Sequence, residues 1–435
     1  MTIHARDCGN SIGSGFISDL EKPIIEFTWE EIDAHSQAYG DSFYVFDESK
    51  FRENFASLKQ AFISRYPQTR LAYSYKTNYT PAICRIVNEL GGYAEVVSEM
   101  EYDLAIQLGI PGNRIIYNGP YKSSSSVRNA LHAGAQINLD SIRDYENVLR
   151  FAAEMETRKF SVGVRCNFET PECPNSRFGF DVDSLEFAQV IAGIRNSSNV
   201  LVNGLHCHFP NREIDSFRVR TSKLVELAGK LFTAPPGFLD VGGGFYGAMP
   251  DSLKQLRNVA PPTFDDYAKV VCEAVLKAYE MCSCPPVLFI EPGTALVADT
   301  FRFFTKVIST KKVRGRNIAT VAGSIFNISP HARLLHLPVR VIRQTESRER
   351  TEPEVYDVAG HTCIESDYLT KRLDGPISVH DFLEYRNLGS YSIVMKPPFI
   401  LPNFPVLQSV NGSRQLVIAK RGETGKDIFH TFEGI

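Results

Sequence analysis

The sequence predicts an α/β protein, a (β/α)8 TIM-type barrel followed by a C-terminal, mostly antiparallel β domain. Three observations carry this prediction. From about residue 70 to residue 298, short apolar runs alternate with helical patterns. Such alternation implies parallel strands, because a parallel return needs a long crossover. Eight strand–helix units over roughly 230 residues suit a closed barrel better than an open sheet. After Ala298 the pattern changes to short β-like runs separated by turns or polar stretches, with few helices.

The barrel strands are read at Leu71–Tyr75, Tyr93–Val97, Arg114–Tyr117, Gln136–Leu139, Phe160–Cys166, Leu201–Cys207, Phe238–Val241 and Val287–Ile290. Helical patterns between them include Pro81–Leu90, Glu99–Leu108, Ile142–Glu156, Leu185–Ile194, Ser216–Phe232 and Phe264–Met281. The helix at Glu99 opens with Ser98-Glu99-Met100-Glu101, a capping-box pattern in which hydroxyl and carboxylate satisfy free amides at the helix start. In the C-terminal part, Phe303–Val307, Asn317–Val321, Pro338–Ile342, Val355–Val358, Ser392–Met395 and Gln415–Ala419 read as strands, and Ser42–Phe46 joins the same β domain. The expected division is residues 1–48 contributing to the β domain, 49–298 forming the barrel and 299–435 forming the β domain. The charged stretch Glu346–Glu354 reads as a solvated loop.

Composition excludes several classes. With 47 basic and 50 acidic residues the net charge is −3, so there is no basic excess for a nucleic-acid surface. No stretch approaches the length of an apolar membrane span. Met1 to Asp19 has no apolar core behind a basic start, so no secretory signal is read. Nine scattered cysteines suggest neither a disulfide framework nor a metal-ligand set, and a reduced cytoplasmic setting is the expectation.

In a parallel barrel the active site lies at the C-terminal ends of the strands. Lys76 ends the first barrel strand, Arg165 lies on the strand at 160, and His206-Cys207-His208 end the strand at 201. Gly242-Gly243-Gly244 follow the strand at 238, and Glu291-Pro292-Gly293 the strand at 287. Each alone has an ordinary explanation, such as a surface charge, a core histidine or a tight turn. Together they would share one rim. A lysine desolvated there would have a lowered pKa and serve as a Schiff-base former. Glycines let backbone amides approach a phosphate. A buried carboxylate can hold a ring nitrogen protonated. One cofactor uses all of these parts, pyridoxal 5'-phosphate. The glycine run is not G-x-G-x-x-G, so a dinucleotide site is poorly supported.

From about Tyr44 to Phe399 the sequence resembles the fold-type III pyridoxal-phosphate enzymes, which include ornithine and diaminopimelate decarboxylases and alanine racemase, and it is most similar to the decarboxylase branch. Tyr75-Lys76-Thr77-Asn78 resembles the segment whose lysine holds the cofactor, which implies Lys76 as the Schiff-base lysine. Gly204-Leu205-His206-Cys207-His208 resembles G-L-H-F-H, implying that His208 stacks on the pyridine ring. Leu239-Asp240-Val241-Gly242-Gly243-Gly244-Phe245 matches the phosphate segment, and Glu291-Pro292-Gly293 implies that Glu291 pairs with the ring nitrogen. Glu95 falls where the family has an acid near the imine, and Arg165 with Arg177-Phe178-Gly179 fits the strand arginine and its companion segment. His361-Thr362-Cys363 resembles the segment whose cysteine reaches across a dimer interface, and Asn387-Leu388-Gly389-Ser390-Tyr391 the segment whose tyrosine contacts the phosphate. The resemblance thus implies a homodimer with shared active sites.

There are departures from the family pattern. Gly293 is followed by Thr294 where the family usually has arginine, which removes a charge near the phosphate. His208-Phe209-Pro210-Asn211 carries Asn211 where serine is usual. Cys363-Ile364-Glu365-Ser366-Asp367 has Ile364 where an acid follows the cysteine, leaving Glu365 and Asp367 as candidate substrate carboxylates. Thr320-Val321-Ala322-Gly323 also lacks the acid of the matching diaminopimelate decarboxylase segment. The expected activity is removal of the α-carboxylate of an amino acid, with Cys363 as the acid that returns a proton. The missing acids point to a modified or conjugated substrate, as in siderophore or antibiotic assembly. A racemase of the same fold and a catalytically silent relative are the alternatives.

Overall fold

The computed structural model describes residues 25–170, 176–329, 336–344 and 354–434. Most of the charged stretch 346–354, as well as Met1–Asp19, lies outside the described residues. Helix α1 (Trp29–Tyr39) leads into strand β1 (Ser42–Asp47) and helix α2 (Glu48–Ile63). The barrel then runs through β2 (Thr69–Ser74), α3 (Pro81–Glu89), β3 (Tyr93–Val96), α4 (Glu99–Gln107), β4 (Ile115–Tyr117), α5 (Ser124–Ala133), β5 (Gln136–Leu139), α6 (Ile142–Ala153) and β6 (Phe160–Asn167). It continues with a short β7 (Phe180–Asp181) beside β6, then α7 (Leu185–Asn196), β8 (Val200–His206), α8 (Ile214–Leu231), β9 (Phe238–Asp240), α9 (Asp251–Arg257), α10 (Phe264–Tyr279) and β10 (Val287–Ile290). All pairings are parallel, and the β5–β6 pair closes an eight-stranded barrel.

Period-two alternation sorts the strand residues between two surroundings. Leu71, Tyr73, Ala94, Val96 and their equivalents pack with the helices in the large core. Ala72, Ile116, Phe238 and Phe289 form a separate small core within the barrel. A Cβ on Gly163 or on Gly204 would fall 2.7 or 2.5 Å from the Phe238 ring, so glycine at both positions makes room for that plug. Two residues further along the same strands come Ser74, Glu95, Asn118, Arg165, His206, Asp240 and Glu291, all buried. The polar ends of the strands thus form one layer above an aromatic floor.

The second sheet follows. It contains β11 (Phe301–Val313), β12 (Arg316–Val321), β13 (Val339–Ile342), β14 (Val355–Ala359), β15 (Tyr368–Asp374), β16 (Phe382–Arg386), β17 (Val406–Ser409) and β18 (Leu416–Lys420). β1 joins it, antiparallel to β11 and parallel to β17. Apart from that pair and β12–β14, the pairings are antiparallel. A fully buried carboxylate, Glu384 on β16, receives Arg302 at 3.3 Å, Arg340 at 2.8 Å and Arg386 at 3.0 Å.

Three details differ from the sequence reading. Ser392–Met395 is a turn rather than a strand: Tyr391 takes a left-handed φ of 66°, and Met395 N–H bonds back to the Tyr391 carbonyl. Strands β15 and β16 lack an apolar signature because Lys371, Arg372 and the buried Glu384 interrupt them, and β17 is only the short run Val406-Leu407-Gln408-Ser409. The capping box at α4 is half formed. Ser98 Oγ accepts from Glu101 N–H at 3.2 Å, but the Glu101 carboxylate accepts from Val97 N–H at 2.8 Å, one residue before the cap.

That carboxylate is buried. Burial pushes its pKa up to about 7; the Val97 amide opposes the rise and the Glu95 charge adds to it. The folded value lies above the unfolded one, so the associated stability is complete below the ordinary glutamate value of 4.5 and is lost as pH rises through about 7. Glu101→Gln keeps an acceptor for Val97 and removes the charge. Its melting temperature should gain on the parent between about pH 5 and pH 8, by the equivalent of up to about 3 kcal/mol. Thermal melts at both pH values check this, and a difference that does not change with pH would refute it.

Candidate active site

The β2 strand ends in a 3-10 turn, Tyr75–Thr77, which lifts Lys76 above the polar layer. Its Nζ donates to Glu95 Oε2 at 2.8 Å, and Ser74 Oγ donates to the same oxygen. Asn118 Nδ2 bridges the two acids, donating to Glu95 Oε1 at 3.0 Å and to Glu291 Oε1, while Asn138 Nδ2 donates to Asn118 Oδ1 at 2.8 Å. Lys76 alone of this group keeps side-chain exposure, 31% against 0% for Glu95, so the amine is the part presented to an incoming molecule. The sequence reading expected burial to lower its pKa. Burial does act that way, but the charges of Glu95 and Glu291 outweigh it and hold the amine above its ordinary range.

Across the barrel, His206 Nε2 lies 3.5 Å from Glu291 Oε2, and His206, Asp240 and Glu291 hold their ligand-type atoms within 4.8 Å of one another. Burial opposes ionisation of Glu291, yet His206 and Lys76 hold it well below the usual carboxylate range. Asp240 goes the other way: burial and then the Glu291 charge push its pKa well above the usual carboxylate range, as expected where two carboxylates share a buried site.

The glycine run turns immediately above. Gly242 N–H donates to Asp240 Oδ1 at 2.9 Å, and Gly243 N–H donates to His208 Nδ1 at 3.0 Å. Burial, then the Lys76 charge, drives the His208 pKa well down, so the ring is neutral and held by one nitrogen. A Cβ on Gly243 would fall 2.3 Å from the Glu291 carbonyl oxygen, and one on Gly242 2.5 Å from that of Cys207. Gly242 also needs a φ of +69°, so only glycine fits this bend. Gly244 lies against the Asn211 carbonyl, 3.3 Å from where its Cβ would be. Gly293 packs so closely on Thr77 that a Cβ would sit 2.1 Å from Thr77 Oγ1. Thr294 Oγ1 lies 2.8 Å from Ser390 Oγ, and Tyr391 N–H donates to the Thr77 carbonyl at 2.9 Å. Arg165 Nη1 pairs with Asp140 Oδ1 at 2.8 Å, its guanidinium over the Phe178 ring.

Lys76, Glu95, Arg165, His208, Asn211, Gly242–Gly244, Glu291, Gly293, Thr294 and Tyr391 therefore gather at the C-terminal mouth of the barrel. Cys363, Glu365 and Asp367 do not bond to them. Cys363 and Glu365 are exposed in the turn between β14 and β15. Asp367 is buried there, and its carboxylate accepts from Ile325 N–H at 2.8 Å and from Thr362 N–H at 3.1 Å and Oγ1 at 2.6 Å. Four neighbours of the site escaped the sequence reading. Asn118 and Asp140 directly follow strands β4 and β5, so the rule that selected Lys76 would have found them. Arg212 and Arg220 carried no local signal, since arginines near a helix start read as solvent-facing.

The donor set fits a pyridoxal phosphate: an accessible lysine amine, an ionised buried carboxylate, a neutral imidazole anchored edge-on and a bend that admits no side chain. The family model for the pyridoxal binding domain of pyridoxal-dependent decarboxylases matches residues 48–298. The diaminopimelate decarboxylase of Bacillus subtilis is 28% identical over 420 residues, covering 90% of this chain and 91% of that protein. That of Methanothermobacter thermautotrophicus is 27% identical over 405 residues, with 90% and 91% covered. Among solved structures, diaminopimelate decarboxylase from M. jannaschii in complex with L-lysine superposes with a TM-score of 0.79 at 23% identity, covering 92% of this chain and 94% of that one. Lysine/ornithine decarboxylase from Vibrio vulnificus superposes with a TM-score of 0.72 at 17% identity, covering 88% and 98%. The match to the family model spans more than half of the chain, and the chain belongs to the pyridoxal-dependent decarboxylases, enzymes that use pyridoxal phosphate to decarboxylate amino acids.

Proposed function

We propose that this decarboxylase binds its cofactor through Lys76, works as a homodimer with shared active sites, and acts on an α-amino acid whose distal amine is modified or conjugated. The observation that carries the role of Lys76 is the Lys76–Glu95–Asn118–Glu291 network, which presents one amine at the mouth of an otherwise buried polar layer. The barrel of residues 49–298 would hold the cofactor, and the β domain of 299–435, with residues 1–48 contributing, would supply the rest. Near-neutral charge and scattered free thiols favour a cytoplasmic setting.

Bound pyridoxal phosphate supplies an electron-accepting ring that takes up the pair left when the α-carboxylate departs. The protein's part is electrostatic and positional. Glu291, held low and bonded to Asn118, would stabilise a positive ring nitrogen. His208, neutral and fixed by the Gly243 amide, offers a flat face. Lys76 would have to give up its proton before its amine could join a carbonyl, and Glu95 Oε2 at 2.8 Å is placed to take it. The glycine bend and Tyr391 would hold the phosphate end. Cys363 would hold the proton returned to the α-carbon. Its place on an exposed turn, bonded to none of these groups, fits delivery by a second subunit. The exposed Ile364, Met395, Phe399, Ile400 and Leu401 support a covered apolar face there.

Lys76→Ala should lose the visible absorbance that attachment of the cofactor to a lysine produces, and CO2 release should fall to background. Visible spectra and CO2 capture check both, and an unchanged spectrum would remove Lys76 from its role. Mixing Lys76→Ala with Cys363→Ala subunits should restore up to about a quarter of parental activity, because half of random dimers are mixed and each holds one intact site. No recovery after demonstrated subunit exchange would place both residues in one subunit.

The substrate reading rests on Ile364 where an acid would meet a free distal amine, and on an Asp367 carboxylate already committed to its turn. In a panel scored for both CO2 release and α-inversion, amino acids acylated on the side-chain amine should exceed lysine, ornithine and diaminopimelate in kcat/KM. Fastest turnover on a free diamino acid would overturn the substrate reading, and inversion without CO2 release the decarboxylase reading.

A further inference from the structure

The loop between β8 and α8 and the second turn of α8 each carry an arginine that no feature of the site described so far employs. Arg220, on α8, is fully buried, and it has no carboxylate partner among the described residues. Its guanidinium donates to the carbonyls of Gly243 at 2.9 Å, Val241 at 3.3 Å and Asn211 at 2.6 Å, and to Ser216 Oγ at 3.0 Å, with its carbon 3.8 Å from the Phe217 ring centroid. A buried cation satisfied only by neutral dipoles is costly unless an anion lies close by.

Arg212 is half-buried at the front of the same bend and has no carboxylate within ion-pair distance among the described residues. Its segment is fastened at three consecutive residues. The Asn211 carbonyl is held by Arg220, the Arg212 carbonyl accepts from Tyr267 OH at 2.5 Å, and Glu213 Oε1 accepts from Tyr246 OH at 3.2 Å. The Arg212 guanidinium lies over the Tyr246 ring at 5.4 Å and points Nη2 to Thr294 Oγ1 at 3.5 Å, whose own neighbour is Ser390 Oγ. A surface arginine would be free to leave; this one is braced by a ring and a fixed backbone against the turn that faces the glycine run.

We propose that Arg212 binds the phosphate monoester of the cofactor directly, together with Thr294 and Ser390, while Arg220 acts from behind as a positioning residue that shapes the bend and leaves a net positive charge beneath it. The charge that the sequence loses at Thr294 thus returns from a different strand end. Burial pushes the Arg220 pKa down to about 10, consistent with a cation that lacks its counter-charge.

The proposal rests on the glycine bend being the phosphate seat, and the test separates the two. The cofactor-stripped full-length enzyme is titrated with pyridoxal phosphate and with pyridoxal, which lacks the phosphate, and bound cofactor is followed by absorbance. Arg212→Gln should weaken pyridoxal phosphate about tenfold or more, the worth of one charge-assisted contact, and leave pyridoxal unchanged. Arg212→Lys should recover part of the loss, since it keeps the charge but not the fork. Equal weakening of both compounds, or of neither, overturns the role of Arg212. A parental enzyme that binds pyridoxal as tightly as pyridoxal phosphate overturns the phosphate seat itself.

Discussion

A closed parallel barrel has an interior only a few side chains deep, and in this protein one aromatic plug decides how that depth is used. Phe238 and Phe289 meet edge-on at 5.9 Å and, with Ala72 and Ile116, fill the floor. Gly163 and Gly204 admit the Phe238 ring and the alternation of the strands does the rest. The next inward-facing residue on strand after strand is polar, and there is nowhere for it to go but into a single layer. A smaller residue at 238 would open a cavity beneath that layer, and the hydrogen-bond distances above it would no longer be set by packing.

That layer is an electrostatic balance rather than a set of independent residues. Despite burial, His206 and Lys76 hold Glu291 low, Asp240 is pushed up by burial and the Glu291 charge, and the Lys76 amine stays above its ordinary range because the charges of Glu95 and Glu291 outweigh its desolvation. Asn118 carries the coupling, since its amide donates to both acids at once. Nearby, Arg165–Asp140 and the fully buried Lys122–Asp144 pair at 2.7 Å neutralise their own charges locally. The site charge is thereby left to respond to what enters the mouth. Arg212 and Arg220 extend the same balance to the glycine bend.

The β domain touches the barrel mouth through backbone contacts that depend on the first strand end. Asn78 Nδ2 donates to the Gly389 carbonyl at 2.9 Å, and Tyr391 N–H reaches the Thr77 carbonyl, so the residues flanking Lys76 also locate Ser390 and Tyr391. Gly389 itself lies so near the Val297 carbonyl that a Cβ would come within 1.9 Å, which explains a glycine where the two parts meet. The three-arginine cluster around Glu384 holds β11, β13 and β16 together behind this contact.

By itself the sequence determined the barrel and the identity of its mouth. Strand–helix alternation is a local periodic signal, and strand ends in a parallel barrel necessarily point the same way. Lys76, His208, the glycine run and Glu291 could therefore be placed on one rim without coordinates. The β domain was less legible, because strands such as Phe382–Arg386 hide a buried carboxylate behind a charged appearance, and a left-handed Tyr391 turns an apolar run into a turn. Only the tertiary structure decided the charge states and the supporting cast. Whether Lys76 loses or keeps its proton depends on the distance to Glu95 and Glu291, acids on other strands. Whether Arg220 faces water or the glycine bend depends on how α8 packs. Such facts are differences between competing long-range interactions, and no window of neighbouring residues contains both sides of the comparison.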